Sequence, residues 1–165
     1  MKNFKSFSEF LSNKEVYEYL NILNDIFIDL IDNSLRTHIY YNQILSSAQE
    51  INTIEIESIS LEKTLIFSIS NIDEDIYPFF SVELTFGKEN RMDMIDQCLE
   101  LVKRIELDGL KLIRNKDYSN ICGIFKDKWF AVGISNIQAV GISEESKFKI
   151  MNSQSIEIEL RFRLD

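Results

Sequence analysis

Apolar and polar residues alternate strictly over residues 155–164, close to the end of the chain. The apolar side chains occupy every second position, and charged side chains fill the positions between them. This period of two predicts a β-strand with one face in a core and the other face in water. The apolar positions are Ile156, Ile158, Leu160, Phe162 and Leu164, and the charged positions are Glu157, Glu159, Arg161 and Arg163.

A second pattern, with apolar residues three and four positions apart, begins close to Lys14. Asn13 suits the N-terminal cap of a helix, and Glu15 suits its first turn. No glycine or proline interrupts the pattern before Ser47, so we predict an amphipathic helix of about 30 residues. Its main apolar stripe consists of Val16, Leu20, Leu23, Phe27, Leu30 and Ile31.

The predicted helix carries more apolar surface than one sheet covers. Ile22, Ile26 and Ile28 widen its apolar sector beyond a single face. A contiguous apolar surface is rarely left in water on a monomer. We therefore expect a homo-oligomer or a subunit of a larger particle, with Ile22 and Ile26 as interface candidates.

The charged face of the final strand is a second interface candidate. Two copies laid antiparallel would place Glu157 near Arg163 and Glu159 near Arg161, so that opposite charges pair. The alternative is intramolecular, because the same charges suit a central strand with charged neighbours or an edge strand protected against aggregation.

Period-two patterns and turn signals fill the middle of the chain. We predict strands at residues 54–57, 65–69 and 80–86, with a turn at residues 62–63 between the first two. Residues 71–78 hold consecutive acidic side chains and the only proline, which predicts a loop.

A second amphipathic helix is predicted at residues 91–106. Asn90 suits its N-cap with Asp93 in the capping-box position, and Gly109 suits its C-terminal end. Short strands are predicted at residues 110–114, 120–125, 129–135, 137–143 and 148–151, with a hairpin turn at residues 126–128.

The pentapeptide Ala-Val-Gly-Ile-Ser occurs twice, at residues 131–135 and at residues 139–143. Two strands with glycine at the same place would be neighbours with matched bulges or a close backbone approach. Chance repetition is the alternative interpretation.

These patterns predict one α+β domain over residues 1–165, with a helical segment at 1–50 and a sheet-rich segment at 51–165. The fold consists of a long N-terminal helix and a mostly antiparallel sheet of about six to eight strands, with a second helix on one face. The β-α-β segment at 79–114 allows two strands to run parallel, and no other part of the sequence alternates in this way.

Composition and charge narrow the class of protein. Apolar residues make up 45% and charged residues 27%, which is typical of a globular domain. The net charge of −9 and the pI of about 4.7, without a basic stripe, argue against a nucleic-acid partner. No stretch has the pattern of a signal peptide or a transmembrane helix, so we expect a cytoplasmic or virion protein with no membrane partner. Cys98 and Cys122 lie in apolar patterns and are expected to be buried free thiols.

Candidate chemistry is sparse. The only histidine, His38, falls in the second half of the predicted long helix and has no second histidine with which to build a metal or acid–base site. Cys98 and His38 form a nucleophile pair on paper, but Cys98 lies on an apolar stripe. Asp25, Asp29 and Asp32 share one helix face and either hold a Mg²⁺ or Ca²⁺ ion or are simply solvated. We therefore expect no catalytic residue, no cofactor and no metal.

The order of elements in the second half is similar to that of phage tail-terminator and tail-completion proteins, which are small α+β proteins that cap a tail tube as rings. The matching order is a strand at 79–86, a helix at 91–106 and a closing sheet from residue 110 onward. The resemblance rests on this order over roughly half the chain and on no diagnostic motif, so no functional residue is carried over.

This resemblance implies a non-enzymatic structural protein, a homo-oligomeric component of a phage or phage-derived particle whose partners are copies of itself or other particle subunits. The alternative function is an acidic binding protein, such as an immunity protein or defence inhibitor, that blocks a basic partner. A small hydrolase is the third hypothesis.

Overall fold

An antiparallel sheet runs through the described part of the chain, and helices pack on it. The computed structural model describes residues 11–45, 50–55, 62–65 and 78–164. The elements within these residues are α1 (Asn13–Asp32), β1 (Arg36–Leu45), β2 (Glu50–Glu55), β3 (Glu62–Leu65), β4 (Phe79–Phe86), α2 (Arg91–Leu107), β5 (Leu110–Leu112), β6 (Asn120–Phe125), β7 (Lys128–Gly133), α3 (Ile134–Val140), α4 (Glu144–Asn152) and β8 (Ile156–Leu164).

The sheet places the final strand at its centre. The strand order is β3-β2-β1-β4-β8-β6-β7, and β5 also pairs with β8. Every pairing between the described strands is antiparallel. The predicted α+β class is therefore confirmed, with eight strands among the described residues and α2 packed on one face.

The segment from β4 to β5 forms a split β-α-β unit. Both β4 and β5 run antiparallel to β8, so they are parallel to each other, with β8 between them. Helix α2 makes the connection. The parallel orientation that the sequence allows for the segment 79–114 is the one observed, and β8 lies between the two parallel strands.

The main core lies between the helices and one face of the sheet. Alternate residues of the central strands point into it, which is the consequence of the period of two. Buried residues of α2, α3 and α4 join the same cluster, so the described helices share one face of the sheet. The cluster includes Phe80, Val82, Leu84 and Phe86 of β4, Ile156, Ile158, Leu160 and Phe162 of β8, and Leu20, Leu23, Phe27 and Leu30 of α1, each at most 2% exposed.

The N-terminal helix is shorter than predicted. It has 20 residues, and the chain turns into β1 after Asp32, so the segment 1–50 is not helical throughout. No glycine or proline is needed to end it, because Ile39 and Tyr41 are buried when β1 pairs with β2 and β4. The cap also lies one residue earlier than predicted, since Ser12 and Glu15 form a reciprocal capping box.

Two segments predicted as strands are helices. Residues 137–143 fall mostly in α3, and residues 148–151 fall in α4. Ser143 caps α4 by accepting a hydrogen bond from the Ser146 amide, and acidic residues fill its first turn. The repeated pentapeptide ends β7 and begins α3 in its first copy, whereas it ends α3 and leads into α4 in its second. The two copies are therefore not paired strands.

Some of the predicted turns and helix ends are confirmed, and one predicted helix cap is wrong. Lys126 and Asp127 both have positive φ, at 49° and 62°, as a two-residue hairpin turn requires, so the predicted turn between β6 and β7 is confirmed. Gly109, at φ 92°, follows the end of α2 as predicted. The capping box predicted at Asn90 is wrong, because Asn90 is left-handed and makes no side-chain cap bond.

The elements predicted for the middle of the chain can be compared with the structure only in part. The residues 62–63 predicted as a turn lie in β3, where they pair with β2. Residues 66–77, which hold most of the predicted strand at 65–69 and of the acidic loop at 71–78, lie outside the described residues.

Candidate functional site

The face of the sheet opposite the helices, here called the second face, carries a row of polar side chains across four strands. His38 of β1 lies opposite Glu83 of β4, Glu83 lies opposite Glu159 of β8, and Glu159 lies opposite Asn120 of β6. Directly opposite residues of antiparallel strands hold their side chains on the same face, so this row is continuous.

Three carboxyl groups converge at the centre of the second face. Glu83, Glu157 and Glu159 each offer an oxygen atom within 4.8 Å of the other two, and all three side chains are half-buried. Burial, the hydrogen bond with Glu157 and the negative charges of Glu157 and Glu83 together raise the pKa of Glu159 to about 7. The cluster therefore takes up a proton close to neutral pH rather than holding three full charges.

Two side chains of β1 contact the carboxyl group of Glu83. The Tyr40 hydroxyl donates a hydrogen bond of 2.8 Å to Glu83 Oε1, and His38 Nδ1 lies 3.4 Å from Glu83 Oε2. Burial, followed by the charge of Glu83, raises the pKa of Tyr40, so its hydroxyl keeps its proton and remains a donor. These contacts fix the position of one carboxylate of the cluster.

Arg161 is the cation next to the cluster on β8. Its guanidinium carbon lies 4.7 Å from the centre of the Phe79 ring and 5.3 Å from that of Tyr118. This stacking between two rings is a favourable cation–π arrangement. The positive charge lowers the pKa of Glu159 and so opposes part of the carboxylate repulsion.

Unpartnered polar atoms collect around the same cluster. Among the described residues, the buried side-chain atoms that make no hydrogen bond are Ser81 Oγ, Asn120 Oδ1 and Arg161 Nε. All three residues lie on the second face, in positions adjacent to Glu83 or Glu159 along or across the strands. Buried polar atoms in folded proteins are nearly always paired, so this concentration at one place needs an explanation.

A shallow cavity opens beside the carboxylates. Its volume is about 240 Å³, and Glu83 and Glu157 form part of its wall. The other lining residues are Arg36, Thr37, His38 and Thr85.

The four interface candidates of the final strand have different surroundings in the structure. Glu157 and Glu159 belong to the carboxylate cluster, Arg161 stacks between rings, and Arg163 is exposed opposite Lys111. Strand β8 pairs with β4 along one edge and with β6 and β5 along the other. The edge-to-edge pairing of two copies is therefore wrong, and the charges face neighbours in their own sheet.

The two interface candidates on α1 differ in exposure. Ile26 is 7% exposed and packs in the main core, so it is not available to a partner. Ile22 is 40% exposed and Ile28 is 42% exposed, which leaves some apolar surface on α1. Asp25, Asp29 and Asp32 are exposed on the same helix.

The nucleophile pair considered from the sequence is not formed. His38 lies on β1 and not in a helix, and its side chain is on the second face, whereas Cys98 is a residue of α2 that is buried in the main core. Burial raises the pKa of the Cys98 thiol to about 12, so it stays protonated. Cys98 and Cys122 are both free and buried, as predicted.

Sequence reasoning missed Glu83 and Asn120. Glu83 alternates with Val82 and Leu84, so its outward direction is readable from the sequence. Nothing in the sequence, however, pairs Glu83 with Glu159, because their strands are more than 70 residues apart and their register depends on the assembled sheet.

A second exposed feature lies on the β6–β7 hairpin. Ile124 and Trp129 are directly opposite each other and are 63% and 69% exposed. Strand β7 is the last strand in the order of the described sheet, so its outer edge has no partner strand there. The hairpin therefore presents an aromatic side chain beside a strand edge.

Comparisons with protein-family models, with curated proteins and with solved structures found no match to this chain. Among the described residues, no helix has the length and apolar character needed to cross a membrane.

Proposed function

We propose that this chain is a non-enzymatic interaction protein that assembles with copies of itself through the β6–β7 hairpin. The observation that carries the proposal is the exposed pair Ile124 and Trp129 next to the outer edge of β7. Tryptophan is enriched among the residues that dominate binding at interfaces. A strand edge supplies backbone donors and acceptors that a second copy pairs with.

The setting that we propose is a phage or phage-derived particle, with the chain as a structural subunit of the tail-terminator or tail-completion type. The order β4, α2, β5 and a closing β8 supports this setting, because it is the order on which the resemblance rests. In a ring, each copy would contact the next head to tail.

The test is the oligomeric state in solution, measured by light scattering and native mass spectrometry at micromolar concentration. We expect an oligomer that Trp129→Glu weakens about 30-fold or more, since central aromatic residues contribute about 2 kcal/mol or more to association. Leu107→Glu is the matched control, because Leu107 is 88% exposed at the end of α2 and lies away from the hairpin. A wild-type chain that stays monomeric at about 100 µM, well above typical specific affinities, contradicts the proposal.

A second candidate function is an acidic binding protein that blocks a basic partner. It is favoured by the convergence of Glu83, Glu157 and Glu159, which concentrates negative charge on the second face. Such a surface attracts lysine- and arginine-rich segments. A monomeric chain whose binding to a lysine-rich peptide is lost in Glu157→Gln would favour this function over self-assembly.

A further inference from the structure

We propose that Glu83, Glu157 and Glu159 form a binding site for one divalent cation of the size of calcium, with Asn120 Oδ1 as a fourth oxygen donor. The site lies on the second face of the sheet and shares no residue with the exposed pair Ile124 and Trp129 on which the proposed function rests.

The donor set points to a hard cation. Three carboxylates and an amide oxygen are the ligands that calcium prefers. Three oxygen atoms no more than 4.8 Å apart lie at most about 2.8 Å from a common centre, so a small inward shift reaches calcium–oxygen distances of about 2.3–2.6 Å. Magnesium requires about 2.1 Å and near-octahedral geometry, which needs a larger rearrangement.

An independent observation also calls for a ligand here. Asn120 is 3% exposed, and its Nδ2 donates a hydrogen bond of 2.7 Å to the Lys116 carbonyl, which identifies the other atom as oxygen. That oxygen is buried and accepts no hydrogen bond, although Asn120 lies directly opposite Glu159 on the same face. A buried acceptor without a hydrogen-bond donor is costly, and a cation bound by the neighbouring Glu159 carboxyl group supplies it with a partner.

The charged and titratable groups that face the cluster come from β1, β8 and β6. From β1, Arg36 lines the adjacent cavity and His38 contacts Glu83. From β8, Arg161 places its guanidinium against the Phe79 and Tyr118 rings. From β6, burial and the nearby carboxylates raise the pKa of the Cys122 thiol to about 12, so it adds no negative charge.

The experiment is calorimetric titration of the metal-free wild-type chain with calcium chloride. We expect one calcium ion per chain, saturating below about 1 mM, and magnesium binding at least tenfold more weakly. Glu159→Gln and Glu157→Gln should each weaken calcium binding at least tenfold. Glu18→Gln, the same change on the exposed face of α1, should leave it unchanged.

The glutamine variants remove repulsion and should fold, which circular dichroism checks. Absence of calcium binding at about 5 mM, roughly fivefold above the dissociation constant of the weakest class of calcium sites, overturns the proposal. Equal affinity for magnesium, or equal binding by Glu159→Gln and Glu18→Gln, also overturns it.

Discussion

Arg91 shows how one residue joins two distant parts of the chain. It is 1% exposed at the start of α2, and its Nε donates a hydrogen bond of 2.7 Å to the Gly87 carbonyl. Its other nitrogens donate to the carbonyls of Ile150, Ser153 and Gln154 at the end of α4. The guanidinium thus satisfies carbonyls that a helix C-terminus leaves free, and the negative end of the helix dipole favours its charge.

We predict that Arg91→Met lowers the free energy of unfolding by about 3 kcal/mol or more, because several buried carbonyls lose their donor at once. Chemical denaturation measures this change. Arg104→Met is the control, since Arg104 is exposed in the last turn of α2 and should cost less than about 0.5 kcal/mol. A loss below about 1 kcal/mol for Arg91→Met, within the range of ordinary substitutions, would show that the carbonyls find other donors.

Glu159 makes stability depend on pH in an unusual direction. Its pKa is raised from 4.5 to about 7, so between these values the folded chain holds a proton that the unfolded chain releases. The contribution of Glu159 to the free energy of unfolding therefore falls as pH rises through this window. Burial of the ionised carboxylate is the main cause, with repulsion from Glu157 and Glu83 added to it, and both are fully present only above about pH 7.

We predict that Glu159→Gln stabilises the metal-free chain relative to wild type by about 1 kcal/mol at pH 8, allowing for solvent screening, and not at pH 4. Denaturation curves of both chains across this pH range provide the measurement. Glu18→Gln should show no such pH-dependent difference, because Glu18 is exposed on α1. A variant equally or less stable than wild type at pH 8 would contradict the raised pKa.

At the scale of elements, β8 connects the two halves of the sheet. Its inward residues pack under the helices, while its backbone pairs with β4 on one side and with β5 and β6 on the other. An element paired along both edges cannot leave the structure without exposing the core on each side.

We predict that Phe162→Ala costs about 3–5 kcal/mol in the free energy of unfolding, because Phe162 is 0% exposed and leaves a large cavity. Arg163→Ala is the matched control on the same strand, since its side chain is exposed, and it should cost less than about 1 kcal/mol. Urea denaturation distinguishes the two. A loss below about 1 kcal/mol for Phe162→Ala, with a larger loss for Arg163→Ala, would mean that the faces of β8 are reversed.

Elements differ in how well the sequence predicts them. The final strand and α2 have periods long enough to decide their type, and both were predicted close to their observed bounds. The short segments 137–143 and 148–151 are too brief for periodicity to separate a helix from a strand. A side-chain cap favours the helix in α4, where Ser143 accepts a hydrogen bond from the Ser146 amide, whereas α3 has no such cap.

At the scale of the whole molecule, intrinsic tryptophan fluorescence can follow self-assembly. Trp129 is the chain's only tryptophan and is 69% exposed on the hairpin that we propose as the contact surface. We predict that its fluorescence maximum shifts to shorter wavelength as protein concentration rises, because association removes the ring from water. Leu107→Glu should show the same shift. A spectrum independent of concentration, in samples that light scattering shows to associate, would place the contact elsewhere.

The sequence by itself determined the class of this protein and the inward faces of its longest elements. Alternation at Ile158, Leu160 and Phe162 depends only on the two-residue period of a strand, so it identifies buried positions without knowledge of any neighbour. Tertiary structure alone decided which strands are neighbours and in which register. The meeting of Glu83 with Glu159 is therefore absent from the local pattern, because it depends on backbone pairing between β4 and β8 across a long stretch of chain.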